Sequence, residues 1–211
     1  MRDVGATVAQ YLHETASVRL SLDPPFRWAS GWLSPVYCDN RRLLSYPLVR
    51  RAVGQALTQA VRADFAACEA IAAVATAGIP LGAILADHLG LPFSYVRPQP
   101  KAHGLGNQIE GVLHAGQSVL VIEDLISTGG SSLAAVEALR QTGVQVVGLL
   151  RVFTYGFATA RERMAAAGVR SRSLATLDDL LHVLEAADHW SAEQRAAVER
   201  WRQAPDTWSP A

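Results

Sequence analysis

An α/β fold with a doubly wound, mainly parallel sheet flanked by helices is what this 211-residue sequence predicts, on three observations. Short apolar runs of strand length recur between segments of helical spacing. The helices end on glycine, as at Gly90 and Gly143, in the manner of a C-cap. The run "SVLVIEDL" at 118–125 breaks directly into "ISTGGSS", so a buried strand gives way to a turn and a helix start. Strands that alternate with helices in this way pair in parallel, because each crossover helix returns the chain to the same end of the sheet.

Taken in order, residues 1–20 have mixed helical spacing. "LDPPFRWASGWLSPVYCDNRRLLSYP" (22–47) follows, dense in Pro, Gly, Ser and aromatics, and predicts a cap of irregular chain and short strands. Regular alternation then begins. A helix over "LVRRAVGQALTQAVRA" leads to the run "AIAAVATAGIP", the helix "LGAILADHLG" and the strand "PFSYVR". It continues as the strand "SVLVIEDL", the helix "GSSLAAVEALRQTG" and the strand "VQVVGLLRVF". The tail "TLDDLLHVLEAADHWSAEQRAAVERW" reads as two helices, the second opened by a capping box of Ser191 and Gln194. With no repeat and no dividing linker, residues 1–211 are expected to form one domain: a cap region over 1–45, an α/β core over 46–175 and C-terminal helices over 176–211.

Composition excludes several function classes. Lys plus Arg and Asp plus Glu are equal at 19 each, so nothing in the overall charge suggests nucleic acid or a membrane surface as partner. Half the residues are hydrophobic, enough for a sizeable core, yet every apolar stretch is broken well short of a membrane span. The N-terminus has no signal-peptide core. A cytoplasmic protein is expected. In that compartment Cys38 and Cys68 are reduced packing residues rather than a disulfide.

Chemistry concentrates at the strand-to-helix turn. Glu123 and Asp124 stand at the end of the apolar run, and Leu125 and Ile126 lead into Ser127, Thr128, Gly129, Gly130 and Ser131. Small residues at a helix start can turn backbone N–H groups toward one point, which favours a phosphate. Carboxylates would repel that phosphate, but they can accept hydrogen bonds from ribose hydroxyls or position a hydrated Mg²⁺. The motif therefore asks for a sugar that bears a phosphate. A simple N-cap would need one such residue, not two acids and a five-residue cradle. The sequence has no G-x-x-x-x-G-K-[ST] phosphate loop, and "GLGNQIEG" has the wrong glycine spacing for a dinucleotide fingerprint.

A second group of candidates precedes that motif. Between Arg97 and Ile109 there is no apolar periodicity, and Pro98, Pro100, Gly104 and Gly106 punctuate the stretch. This predicts an exposed, mobile loop whose cations, Arg97 and Lys101, could close over a bound anion. His103 reads equally well as an anion contact or as a surface residue.

"VLVIEDLISTGGSS" resembles the phosphoribosyl-pyrophosphate (PRPP) motif of the type I phosphoribosyltransferases. Two further segments, "FRWASGWLSPVYCDNR" (26–41) and "YVRPQPKAHGLGNQIEG" (95–111), are similar to the N-terminal segment and the catalytic loop of the orotate phosphoribosyltransferases. The resemblance implies a type I phosphoribosyltransferase-like fold with a small N-terminal hood. It also implies transfer of phosphoribose from PRPP to orotate with Mg²⁺, in a homodimer that shares the 97–109 loop across its interface. By position, Glu123 and Asp124 would hold the ribose hydroxyls, and residues 127–131 would cradle the 5′-phosphate. Arg97, Lys101 and His103 would bind pyrophosphate, and "ATAGIP" (75–80) would touch it through its backbone. Ser127, and Tyr37 as a stacking ring, would meet orotate.

The chain departs from the family pattern at Ala29, Leu33, Ala77 and Pro98, where lysines are frequent, and at Tyr155, near an expected arginine. Arg41 or Arg42 is a candidate source of the missing charge. Two alternatives share the motif: a transferase for a purine base, and a non-catalytic PRPP sensor that binds nucleic acid. The N-terminal segment argues against the first. The zero net charge and the Lys101 and His103 loop argue against the second.

Overall fold

The computed structural model describes residues 3–28, 31–99, 108–187 and 191–210. Chain order begins with α1 (Val4–Glu14), four short strands β1 (Val18–Leu20), β2 (Phe26–Arg27), β3 (Leu33–Ser34) and β4 (Val36–Cys38), and a 3₁₀ turn over Asn40–Ser45. The core continues with α2 (Pro47–Asp64), β5 (Ala70–Val74), α3 (Gly78–Leu89), β6 (Phe93–Val96) and β7 (Ile109–Glu110). It is completed by β8 (Ser118–Ile126), α4 (Gly130–Arg140), β9 (Gln145–Thr154), α5 (Ala158–Ala166), β10 (Ser171–Thr176), α6 (Leu177–Ala186) and α7 (Ala192–Gln203).

Six strands form one sheet in the order β10-β9-β8-β5-β6-β7. Every pairing is parallel except β6 with β7. The doubly wound reading is thus borne out, and β8, which carries the acids, lies inside the sheet. β5 is buried at all five positions, as expected of a strand covered on both faces.

Each face of the sheet carries its own core. One is built from Ile71, Leu120, Ile122, Leu150 and Val152 against Leu12 of α1, Leu57 of α2, Leu85 of α3 and Leu180 of α6. The other sets Ala72, Val121 and Leu149 against Val136 and Leu139 of α4 and Met164 of α5. The helices follow from sequence. α2 opens with Pro at its first turn and buries Val53, Leu57, Ala60 and Val61, a stripe at helical spacing. α6 and α7 open with capping boxes, Thr176 with Asp179 and Ser191 with Gln194, which satisfy N–H groups otherwise without partners.

Three features differ from expectation. β8 does not end at the acids but pairs with β9 through Ile126 opposite Thr154. Helix α5 and strand β10 escape the periodicity reading, because α5 buries only Ala160 and Met164 and β10 is half polar at the sheet edge. The start of the chain is not merely a cap: Val8, Ala9 and Leu12 of α1 are in the core. Gly5 is required there, since a Cβ would lie 2.8 Å from the Asp179 carboxyl on α6. What stands over the sheet's carboxyl end is the pair of small antiparallel ribbons, β1 with β4 and β2 with β3. They are tied down by Trp28, whose ring lies 4.9 Å from that of Tyr155 and 5.7 Å from that of Trp201.

Candidate functional site

The carboxyl ends of β5, β6 and β8 converge, and in an open α/β sheet this is where ligands bind. Glycine makes the convergence tight: a Cβ on Gly78, at the start of α3, would sit 2.8 Å from the Ile122 carbonyl oxygen. The 75–80 segment is therefore held beside the end of β8. Its Ala75–Thr76 peptide bond is cis.

Glu123 is only 5% exposed. Its Oε2 accepts from the Ser132 hydroxyl at 2.9 Å and its Oε1 from the Asp124 amide at 3.2 Å. Burial, and then the charge on Asp124, push this carboxyl well above the ordinary range. Burial raises Asp124 too. Of the two acids, Asp124 is half-buried and open to a ligand, whereas Glu123 ties β8 to the first turn of α4. Ser132 was missed by sequence reasoning. Its only signal was a second serine after Ser131, on the side of the helix that turns inward.

The turn at 127–129 leads directly into α4. Ser127 and Thr128 are half-buried, and Gly130 and Ser131 are exposed. Gly129 takes a left-handed φ of 81° and caps α4 without a side-chain hydrogen bond, so the first N–H groups of that helix are left for another acceptor. A Cβ on Gly130 would meet nothing within 4 Å, which leaves the approach to the turn open. Leu125 is half-buried and Ile126 buried; they act as spacers in the strand.

Arg97 follows β6 directly. Its amide donates to the Gln108 carbonyl at 2.9 Å, Gln108 returns a bond from Nε2 to the Arg97 carbonyl at 3.0 Å, and its guanidinium lies 3.7 Å from Glu110. Both ends of the 97–109 segment are thus pinned beside the site. Lys101 and His103, and Ala29 of the N-terminal segment, lie outside the described residues.

The N-terminal segment joins the site through Asn40, a second residue that sequence reasoning missed. Asn40 is 1% exposed, donates from Nδ2 to the Asp124 carbonyl at 2.7 Å, and accepts from the Cys38 thiol at 3.2 Å. Arg41 pairs with Asp39 and lowers the Asp124 carboxyl against the effect of burial. Arg42 instead donates to the Thr15 carbonyl. Of the two candidates for the missing charge, Arg41 is the one that faces the acids. The Tyr37 ring is half-buried, 5.4 Å from Phe26 and with the Arg19 guanidinium 5.4 Å from its centroid. Tyr155, 2% exposed, is stacked on Phe157 in the aromatic cluster. Leu33 pairs with Arg27 in a ribbon and Ala77 precedes α3.

Among the described residues no three His, Cys, Asp or Glu side chains group as a metal cage. One open carboxylate, Asp124, beside the uncapped start of α4 fits the way Mg²⁺ binds, through one or two acids and the substrate's own phosphates. Among those residues, too, no helix is long and apolar enough to cross a membrane.

Comparison with known proteins agrees. The family described as "Phosphoribosyl transferase domain" matches residues 39–181. An orotate phosphoribosyltransferase of Cytophaga hutchinsonii is 47% identical over 201 residues, 95% of this chain and 96% of its own. The crystal structure of orotate phosphoribosyltransferase from Aeropyrum pernix superposes with a TM-score of 0.75 at 35% identity, over 87% of this chain and 99% of that one. The Mycobacterium tuberculosis enzyme in complex with PRPP has a TM-score of 0.66 at 27% identity, over 84% of this chain and 98% of that one. The acids and the open helix start on β8 and α4 thus lie in a chain that belongs to the phosphoribosyltransferase family, as an orotate phosphoribosyltransferase.

Proposed function

We propose a division of labour at this site for the transfer of phosphoribose from PRPP to orotate, giving orotidine 5′-monophosphate and pyrophosphate. Asp124 accepts from the ribose hydroxyls, and the 127–131 turn holds the 5′-phosphate on the N–H groups of α4. Glu123 is a positioning residue, which fixes that turn through Ser132. The observation that carries this reading is the pairing of an open acid two residues before the end of β8 with an uncapped helix start a few residues later. A sugar phosphate satisfies both at once.

Charge development assigns the rest. As the ribosyl carbon becomes cationic, the departing pyrophosphate gains negative charge, so cations that reach it act most strongly in the transition state. Arg97 would supply one from the pinned base of the loop, with Lys101 and His103 reaching in from the loop itself. Magnesium, when bound with PRPP, adds positive charge at the same leaving group. Loop closure would exclude water that otherwise hydrolyses PRPP. Orotate would lie toward Ser127, with Tyr37 as a stacking ring from the β1–β4 ribbon. In this reading the active unit is a homodimer in which each 97–109 loop serves the neighbouring site. Two unbridged, buried cysteines support a reducing cytoplasmic setting.

The test is pyrophosphate release from PRPP and Mg²⁺ with each base offered in turn. Release is expected with orotate alone. Turnover of hypoxanthine or adenine with none of orotate would overturn the assignment.

A further inference from the structure

Beside Glu123, a charged side chain stands that the reaction above does not use. Arg151, on β9, stands in register between Glu123 of β8 and Ser173 of β10. Side chains alternate along a strand, so Arg151 shares the face of Leu149, the face covered by α5. There it lines a cleft of about 250 Å³ between α5 and β10. Its Nε and Nη1 are buried and reach no acceptor among the described residues. The neighbouring Glu123 is already engaged by Ser132.

Two buried guanidinium N–H groups without an acceptor are costly, and a purely structural role at this position would be met better by an apolar side chain. The cleft supplies what an oxyanion needs instead. Ser171 and Ser173 line it from β10, Arg161 from α5 and Arg202 from α7. Arg202 is paired with Asp178 and Arg161 donates to the Gly156 carbonyl at 2.5 Å, so three arginines face one acid. Burial holds Arg151 down at about 10, which leaves it cationic at neutral pH. The volume lies below the ~300–1,000 Å³ of pockets that take larger organic ligands, so a nucleotide is too large.

We propose that the α5–β10 cleft is a second anion site, in which the Arg151 fork, with Ser173 beside it, binds a small oxyanion, a phosphate or a carboxylate. The site is separate from the sugar-phosphate cradle, with α5 as the wall between them: Met164 lines the cleft, and a Cβ on Gly129 would come within 3.1 Å of it.

Calorimetric titration of the full chain, presaturated with PRPP and Mg²⁺ to fill the cradle, with inorganic phosphate and separately with acetate, tests this. One site per chain is expected for at least one of the two anions, and which one binds distinguishes phosphate from carboxylate. Arg151→Met should weaken that binding about tenfold or more, the loss of a charge-assisted hydrogen bond, while its Tm in anion-free buffer is equal to or above that of the parent. Were PRPP not to occupy the cradle, the parent would show two phosphate sites and Arg151→Met one, and the proposal would stand. Binding of neither anion, or equal binding by parent and Arg151→Met, overturns it. If Arg151→Met does not fold, Ser173→Ala decides: weakened binding supports the site, and undiminished binding rejects it.

Discussion

The side-chain amide of Asn40 donates to the main-chain carbonyl of Asp124 at 2.7 Å, across 84 residues of chain. One hydrogen bond thus fixes the N-terminal segment to the stretch of β8 that presents the acid proposed to bind ribose. Asn40→Ala would leave that buried carbonyl and the Cys38 thiol without partners, so a loss of about 1–3 kcal/mol is expected, together with a lower kcat/KM. Asn40→Asp should be worse than Ala, because a carboxylate would face the carbonyl beside Asp39 and Asp124. Thermal melts and steady-state kinetics of the two variants check the order.

Asp124→Asn separates binding from folding. The side chain is half-buried at a strand end, so stability should move by no more than roughly 0.5 kcal/mol. Loss of a charged hydrogen bond to the ribose, about 1.5–3 kcal/mol, should lower kcat/KM for PRPP roughly ten- to a hundredfold. A large drop in Tm with PRPP use intact would make Asp124 structural instead.

Glu123 predicts a pH dependence of stability. Burial raises its carboxyl in the folded state, whereas in the unfolded chain it titrates near 4.3. Between those two values the folded protein holds a proton that the unfolded chain has lost, so this residue's contribution is full below about 4.3 and declines as pH rises through the folded value. Glu123→Gln keeps an acceptor for Ser132 and removes the ionisation. It should be more stable than the parent at pH 8, with the difference vanishing below about pH 4. Urea denaturation across that range measures it, and a difference that grows toward acid pH would contradict the assignment.

Gly78→Ala should push the start of α3 away from β8, since the new methyl would lie 2.8 Å from the Ile122 carbonyl oxygen. A destabilisation of about 1–3 kcal/mol is expected from such overpacking, and KM for PRPP should rise because the 75–80 segment moves with the helix. An unchanged KM would detach that segment from pyrophosphate binding.

Loop sharing can be tested by mixing two defective subunits. Lys101→Ala and Asp124→Asn homodimers should each be nearly inactive. If the loop acts across the interface, a hybrid has one site with both residues intact and should recover about half the wild-type activity per dimer. A verified hybrid as inactive as its parents would return Lys101 to its own subunit.

The sheet and the position of the site were legible because the sequence carries them locally. "VLVI" has strand length and no polar interruption, and the acids and cradle follow it without a gap. What was not legible depends on contacts between distant segments. That β8 runs on through Glu123 to Ile126 is decided by its neighbour β9. That Ser132 rather than Ser131 turns toward Glu123 is decided by where α4 begins. Asn40 reaches Asp124 only once the ribbons have folded over the sheet, and α5 is too weakly amphipathic to be seen from its pattern. Tyr155 stands near a position read for substrate contact, yet its ring is spent on the Trp28, Phe157 and Trp201 cluster.

The seating of α1 against α6 bears on how the protein is made. Val8 and Leu12 are buried where α1 packs on α6, which ends at Ala186, so α1 is synthesised well before the helix that covers it. At about 5–20 residues per second, its apolar stripe waits on the order of ten to thirty seconds for that partner. During that interval it is a natural handle for chaperones, and a truncated chain that stops before α6 would retain it permanently.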